Sequence, residues 1–134
     1  MDSNVLIYHL EKIPPYSELT LLLIEFIQKG QISGHTSALS FLELNVRPYQ
    51  KGETNLAANY TTLFKRLPHF SIHPLTLEMA DMAARLRAKY KLKTPDAIHV
   101  ASALACQAQV LLGNDREFKK IKEISYLHLD DFVK

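Results

Sequence analysis

Thr94-Pro95-Asp96-Ala97-Ile98-His99-Val100-Ala101-Ser102-Ala103 is the most informative stretch of this chain. It opens a helix. Thr94 suits the N-cap, where a hydroxyl accepts from the free N–H groups of the first turn. Pro95 suits the first helical position, whose N–H has no partner in any case. Asp96 then falls in the first turn, where a carboxylate meets the positive end of the helix dipole. Small and apolar residues continue the helix over 94–107 and include the single cysteine, Cys106.

Upstream, the periodicity predicts a helix over 77–90, with Met79, Ala83, Leu86 and Tyr90 on its inner stripe. Its other face carries Asp81, Arg85 and Lys89. Downstream, 109–112 reads as a buried strand, 115–122 as a short helix and 125–128 as a last strand. Toward the N-terminus, 70–73 and 31–36 read as short strands. Helices are expected over 56–67, ended by Pro68, and over 37–46, stopped by Pro48. A further helix over 16–29, between Pro14-Pro15 and Gly30, has Leu19, Leu22, Leu23, Phe26 and Ile27 at the spacing of a buried stripe. That stripe could equally serve as a dimer seam. A short helical segment, 3–10, begins at Asp2. Strands alternating with helices predict a parallel sheet covered on both faces, a three-layer α/β/α fold. Sites in such folds collect beyond the carboxyl ends of the strands.

The chain has 134 residues, enough for one domain over 1–134 with its own core. It is 47% apolar and 22% charged, an ordinary globular balance. A net charge of +2 excludes a molecule that grips nucleic acid by its overall charge, so any such contact must come from local patches. A lone cysteine fits a reducing cytoplasm. The longest apolar run, 19–27, is interrupted by Thr20 and Glu25, so no membrane span is expected. No basic-then-apolar signal segment is seen at the N-terminus.

Four acids occupy strand-to-helix junctions or the turns just after them: Asp2, Glu43, Asp96 and Asp115. Brought to one edge of a parallel sheet, they would repel one another unless protons or a cation neutralised them. Hard oxygen donors suit Mg²⁺ or Mn²⁺, and the reaction that suits such a centre best is phosphodiester hydrolysis. Each acid also has a local explanation. Asp2, Asp96 and Asp115 can stabilise helix N-termini, and Glu43 stands three residues after Ser40, the spacing of a capping box. Only the joint pattern favours a metal centre.

These stretches together resemble the motifs of PIN domains. Asp2-Ser3-Asn4-Val5-Leu6-Ile7-Tyr8 resembles the opening motif, 37–48 with Glu43 the second, 94–103 the third and Asn114-Asp115-Arg116-Glu117-Phe118 the fourth. The resemblance implies the three-layer fold and Mg²⁺- or Mn²⁺-dependent cleavage of RNA. It implies Asp2, Glu43, Asp96 and Asp115 as the metal-binding, catalytic acids. Among short single-domain members the likeness is to VapC-type toxins, which implies a homodimer silenced by a small antitoxin protein. Two departures stand out. The family usually has Thr or Ser two residues before its last Asp, where this chain has Gly113. The family's first strand precedes the first Asp at the sheet centre, whereas this chain starts at Met1. The expectation is therefore a truncated first strand, a late start to the sequence and a frayed Asp2. Neighbouring strands would be left with unpaired groups, each costing about 1–3 kcal/mol if buried.

Basic residues cluster at Lys65-Arg66, along 85–93 and along 116–122. Arg116, beside Asp115, and Lys93, leading into Asp96, are the candidates for RNA phosphates. Six histidines raise the question of zinc, but there is no His-Glu-x-x-His and no Cys/His pairing, so none is expected. His99 reads as a packed, hydrogen-bonded histidine. Ser102, His99 and Asp96 share one helix and form no triad. A catalytically silent PIN-like module that binds RNA or protein is the alternative to a ribonuclease. A receiver-like signalling domain lacks the required Asp and Lys spacing.

Overall fold

The computed structural model describes residues 1–133. In chain order it contains α1 (Ser3–Leu10), α2 (Ser17–Gln28), β1 (Gly34–Ser37), α3 (Leu39–Gln50), α4 (Thr54–Arg66), β2 (Phe70–His73), α5 (Leu77–Tyr90), α6 (Thr94–Ala105), β3 (Val110–Gly113) and β4 (Ser125–His128). Two short 3₁₀ turns, Arg116–Lys120 and Leu129–Phe132, flank β4. The α/β class with parallel strands is the one the sequence predicts.

The strands form two parallel pairs. β1 runs beside β2 with Gly34 opposite Phe70 and Ser37 opposite His73. β3 runs beside β4 with Val110 opposite Ser125 and Gly113 opposite His128. Met1 and Asp2 lie between the pairs and stitch them together. The Met1 nitrogen donates to the His35 carbonyl at 2.7 Å, and the Asp2 N–H donates to the Leu112 carbonyl at 2.9 Å. Donation to opposite sides by successive residues is the pattern of a strand between two neighbours. Thr36 Oγ1 adds a bond to the Met1 carbonyl at 3.0 Å. Asp2 is consequently only 5% exposed, not frayed as expected. Beside this stitch, a cavity of about 650 Å³ opens between β1 and β3, bordered by Ile27, His35, Cys106 and Val110.

Most of the core lies around α5, α6 and β3. Ala97, Val100 and Ala101 are fully buried and pack with Leu86, Leu111 and Phe118. The small residues of α6 let α5 and β3 approach closely. Burying a Val or Leu at such positions contributes about 1.5–3 kcal/mol. Of the predicted inner stripe of α5, Met79, Ala83 and Leu86 are buried, and Tyr90 is half-buried against the same core.

Three local expectations change. First, α3 passes through Pro48 rather than stopping before it. The ring removes one helical bond and crowds the Leu44 carbonyl, but Pro48 is buried, and packing against α1 and α4 offsets that cost. Second, α6 is capped by Lys93 in extended conformation, with Thr94 and Pro95 already helical and no side-chain cap. Proline is tolerated there because none of the first N–H groups has a helical acceptor. Third, the stripe on α2 is only partly inward. Ile27 is buried and Leu19 and Leu23 are half-buried, while Leu22 and Phe26 are 47% and 41% exposed, as is the neighbouring Leu21. The helix lies at the rim, chiefly against α1, so only one narrow face is covered.

β1 starts at Gly34 for a steric reason. A Cβ at Gly34 would fall 2.7 Å from both Ile27 Cδ1 and Phe70 Cδ2, so α2 and β2 close over a residue with no side chain. Among the described residues no helix is long and apolar enough to cross a membrane.

Candidate active site

Asp2 precedes α1 and caps it, its Oδ1 accepting from the Ser3 N–H at 2.8 Å. Glu43 stands one turn into α3. Asp96 lies in the first turn of α6, and Asp115 caps the 3₁₀ turn after β3 by accepting from the Glu117 N–H at 2.9 Å. The capping readings of Asp2 and Asp115 are therefore real, but they do not exhaust what these side chains do.

Glu43 has no capping role. Ser40, its proposed partner, is buried and shares a 2.7 Å hydrogen bond with Thr36 Oγ1. Glu43 instead reaches across to α6, where His99 Nε2 donates to its Oε1 at 2.8 Å. The same nitrogen lies 3.5 Å from Asp2 Oδ1. His99 is 3% exposed, so a buried imidazole bridges acids from two distant segments.

The electrostatics bring Asp96 and Asp115 into the same group. Asp96 is pushed up to about 6 by burial first, then by repulsion from Asp115 and Asp2, with His99 opposing and Glu43 adding. Asp2 is also raised, by burial and by Glu43, against the opposing effect of His99. Asp96 thus feels the other three acids, and Asp2 feels Glu43. They do not collapse onto a point, however: among the described residues, no three of them hold ligand atoms all within 4.8 Å of one another.

One buried carboxylate, Asp2, and three half-buried ones, with repulsion focused on Asp96 and one histidine to offset it, match what a hard divalent cation requires. The residues present therefore fit Mg²⁺ or Mn²⁺, with Asp2, Glu43, Asp96 and Asp115 as the available carboxylates. His99 Nδ1 is buried with no hydrogen-bond partner, so this imidazole is oriented only through its Nε2 side.

Tyr126, on β4, is a site residue that sequence reading missed. Its hydroxyl accepts from the Asp115 N–H at 3.1 Å and donates to the Asp115 carbonyl at 2.9 Å. His128 Nδ1 lies 3.1 Å away and completes the hydroxyl's partners as a donor. Tyr126 also explains Gly113. A Cβ there would stand 3.1 Å from Asp2 Cβ and 3.3 Å from the Tyr126 hydroxyl oxygen. A tyrosine hydroxyl thus borders the space where a Ser or Thr side chain would project. Nothing local in the sequence announces this, because β4 and Gly113 meet only through strand pairing. His99 did carry a signal: it stands three residues after Asp96 on one helix, a spacing that shares a face.

Arg116 and Lys93 are exposed and make no ion pair among the described residues. Both lie beside the acids. Asp130 is held below the usual carboxylate range mainly by the Tyr16 hydroxyl, with Arg116 adding a smaller part. Glu117 is held down mainly by Lys120, with Lys93 contributing last.

The PIN domain family profile matches residues 1–124. No curated protein matches the chain. Two solved structures share its fold over nearly the whole length. One is VapBC2 from Rickettsia felis bound to a DNA fragment from their promoter, 17% identical, TM-score 0.74, covering 94% of each chain. The other is a toxin-antitoxin complex from Klebsiella pneumoniae, 22% identical, TM-score 0.67, covering 96% of this chain and 94% of that one.

Proposed function

Because the chain belongs to the PIN domain family, we propose that it is a metal-dependent endoribonuclease of VapC type, the toxin of a toxin–antitoxin pair. One observation carries the proposal: acids from residues 2, 43 and 115 gather around Asp96, whose carboxyl is lifted to about 6 by burial first and then by repulsion from them. Bound Mg²⁺ or Mn²⁺ would supply an activated water and offset charge on the scissile phosphate. Asp2, Glu43, Asp96 and Asp115 would hold it. His99 fixes the direction of Glu43, and Tyr126 fixes the backbone that carries Asp115. Arg116 and Lys93, exposed at the rim, hold phosphates on either side of the scissile bond.

Partner proposals follow from the same reading. The fold likeness to a toxin-antitoxin complex supports a small antitoxin laid over the acidic cleft. Exposed Leu21, Leu22 and Phe26 on α2 support a homodimer seam. A cytoplasmic setting agrees with a single half-buried thiol, Cys106.

The test is cleavage of mixed RNA by purified protein with Mg²⁺ or Mn²⁺, beside Asp96→Asn. Cleavage that needs both the metal and Asp96 supports the enzyme. Silence from the folded protein would favour the binding module, and equal degradation by the variant would expose a contaminant.

A further inference from the structure

His35, His73 and Cys106 come from β1, β2 and the C-cap of α6, and their ligand atoms all lie within 4.8 Å of one another. His35 Nδ1 and His73 Nε2 face each other at 2.9 Å, with the rings stacked at 5.1 Å between centroids. Strand register makes this contact: His35 sits opposite Ser71, two residues before His73, so both side chains project from the same face of the pair. Cys106 approaches from the end of α6, and the cavity between β1 and β3 gives access to it and to His35.

We propose that these three residues form a second metal site, for zinc or a similarly soft divalent ion, separate from the acidic centre. Two imidazoles and a thiolate are zinc donors, whereas Mg²⁺ and Mn²⁺ prefer oxygen. Bonds of about 2.0–2.1 Å to nitrogen place two tetrahedral ligand nitrogens roughly 3.3 Å apart, so the rings need to part by only about 0.4 Å. Both rings are half-buried and have room to do so. The cavity lined by His35 and Cys106 would admit a further ligand. Cys106 lies ten positions beyond Asp96, about 15 Å along the helix axis, so the two sites share no ligand, although Met1, which donates to the His35 carbonyl, sets Asp2 between them. The metal ties the β1–β2 pair to the far end of the helix whose first turn carries Asp96.

No short spacing joins the ligands at 35, 73 and 106, so nothing local announces them. Absence of a zinc motif excludes only sites built locally.

The experiment titrates Co²⁺ into metal-free protein and follows absorption. Thiolate ligation gives a near-ultraviolet charge-transfer band that carboxylate sites do not produce. The expected result is such a band, bleached by Zn²⁺, lost in Cys106→Ser and retained in Asp96→Asn. His35→Ala and His73→Ala should weaken binding about 10-fold or more. Circular dichroism confirms that each variant is folded, and His73→Gln replaces any that is not. No charge-transfer band from the folded wild-type chain overturns the proposal. So does a band of unchanged affinity in both histidine variants. Retention of the band in Asp96→Asn keeps this outcome distinct from the fate of the nuclease reading.

Discussion

His99 Nε2 lies 2.8 Å from Glu43 Oε1 and 3.5 Å from Asp2 Oδ1, joining the third helix to the sixth across 56 residues of sequence. The imidazole is almost wholly buried, so its donor cannot turn to water. Removing it would leave two carboxylates facing each other with nothing between them. His99→Ala should therefore lower RNA cleavage and Mn²⁺ affinity by about 10–100-fold, the usual cost of losing an orienting partner. His99→Gln, which retains a donor, should recover part of both. Calorimetric Mn²⁺ titration beside cleavage rates checks this, and unchanged affinity in His99→Ala would remove the histidine from the site.

Asp96 gives a pH prediction with a definite sign. Its folded value of about 6 lies above its ordinary 3.8, so the folded chain holds a proton that the unfolded chain has released. The contribution of Asp96 to stability is then highest below about pH 4, falls as pH rises through 6 and stays lower above it, whereas the Met1 amino group, held down to about 6 by burial, adds stability as pH rises from 6 to 8. Asp2, also raised, acts in the same direction as Asp96. Mg²⁺ should raise the melting temperature more at pH 7.5 than at pH 5, since it replaces the missing proton. Asp96→Asn should flatten the pH profile. Urea midpoints of the wild type and Asp96→Asn from pH 4 to 6.5 test the slope, and a difference between them that does not change across that range in metal-free protein would contradict it.

Tyr126 and Gly113 form a complementary pair. Tyr126→Phe deletes a hydroxyl that both accepts from and donates to the Asp115 backbone. The expected cost is about 1–3 kcal/mol in urea denaturation, with a fall in kcat larger than any change in KM. Gly113→Ser should also impair the chain, because its Cβ would press on Asp2 Cβ at 3.1 Å. In the double variant the new hydroxyl has the space vacated by the tyrosine oxygen, so the two losses should be less than additive. Full additivity would show that the two positions do not communicate.

Gly34→Ala tests the closure of α2 over β1. The added methyl meets Ile27 Cδ1 and Phe70 Cδ2 at 2.7 Å, so at least one of these side chains must shift. A loss of about 1–3 kcal/mol is expected in urea denaturation. Ile27→Ala in the same chain should relieve part of it; no relief would mean that Phe70 alone sets the limit.

Local chemistry was enough to identify some parts of this protein. The α5 stripe, the helix opened around Pro95 and the last strand follow from spacing and turn residues within a few positions of one another. So does the placing of Asp2, Asp96 and Asp115 at helix starts, because capping is a near-neighbour effect. Pro48 misleads for the opposite reason: its local cost is real, but burial against α1 and α4 outweighs it, and no window around residue 48 contains those partners. Leu22 and Phe26 mislead likewise, since helical spacing shows a stripe without showing whether anything covers it.

What the amino-acid order alone determined is the alternation of strands and helices, and with it which acids stand at helix starts. Only the three-dimensional fold decided that Glu43 answers to His99 rather than to Ser40. It also decided that Tyr126 fills the neighbourhood of Gly113, and that His35, His73 and Cys106 meet at all. The physical reason is range. Periodicity and capping act within one or two turns, whereas these contacts join segments tens of residues apart and exist only once strand pairing and helix packing have fixed their distances.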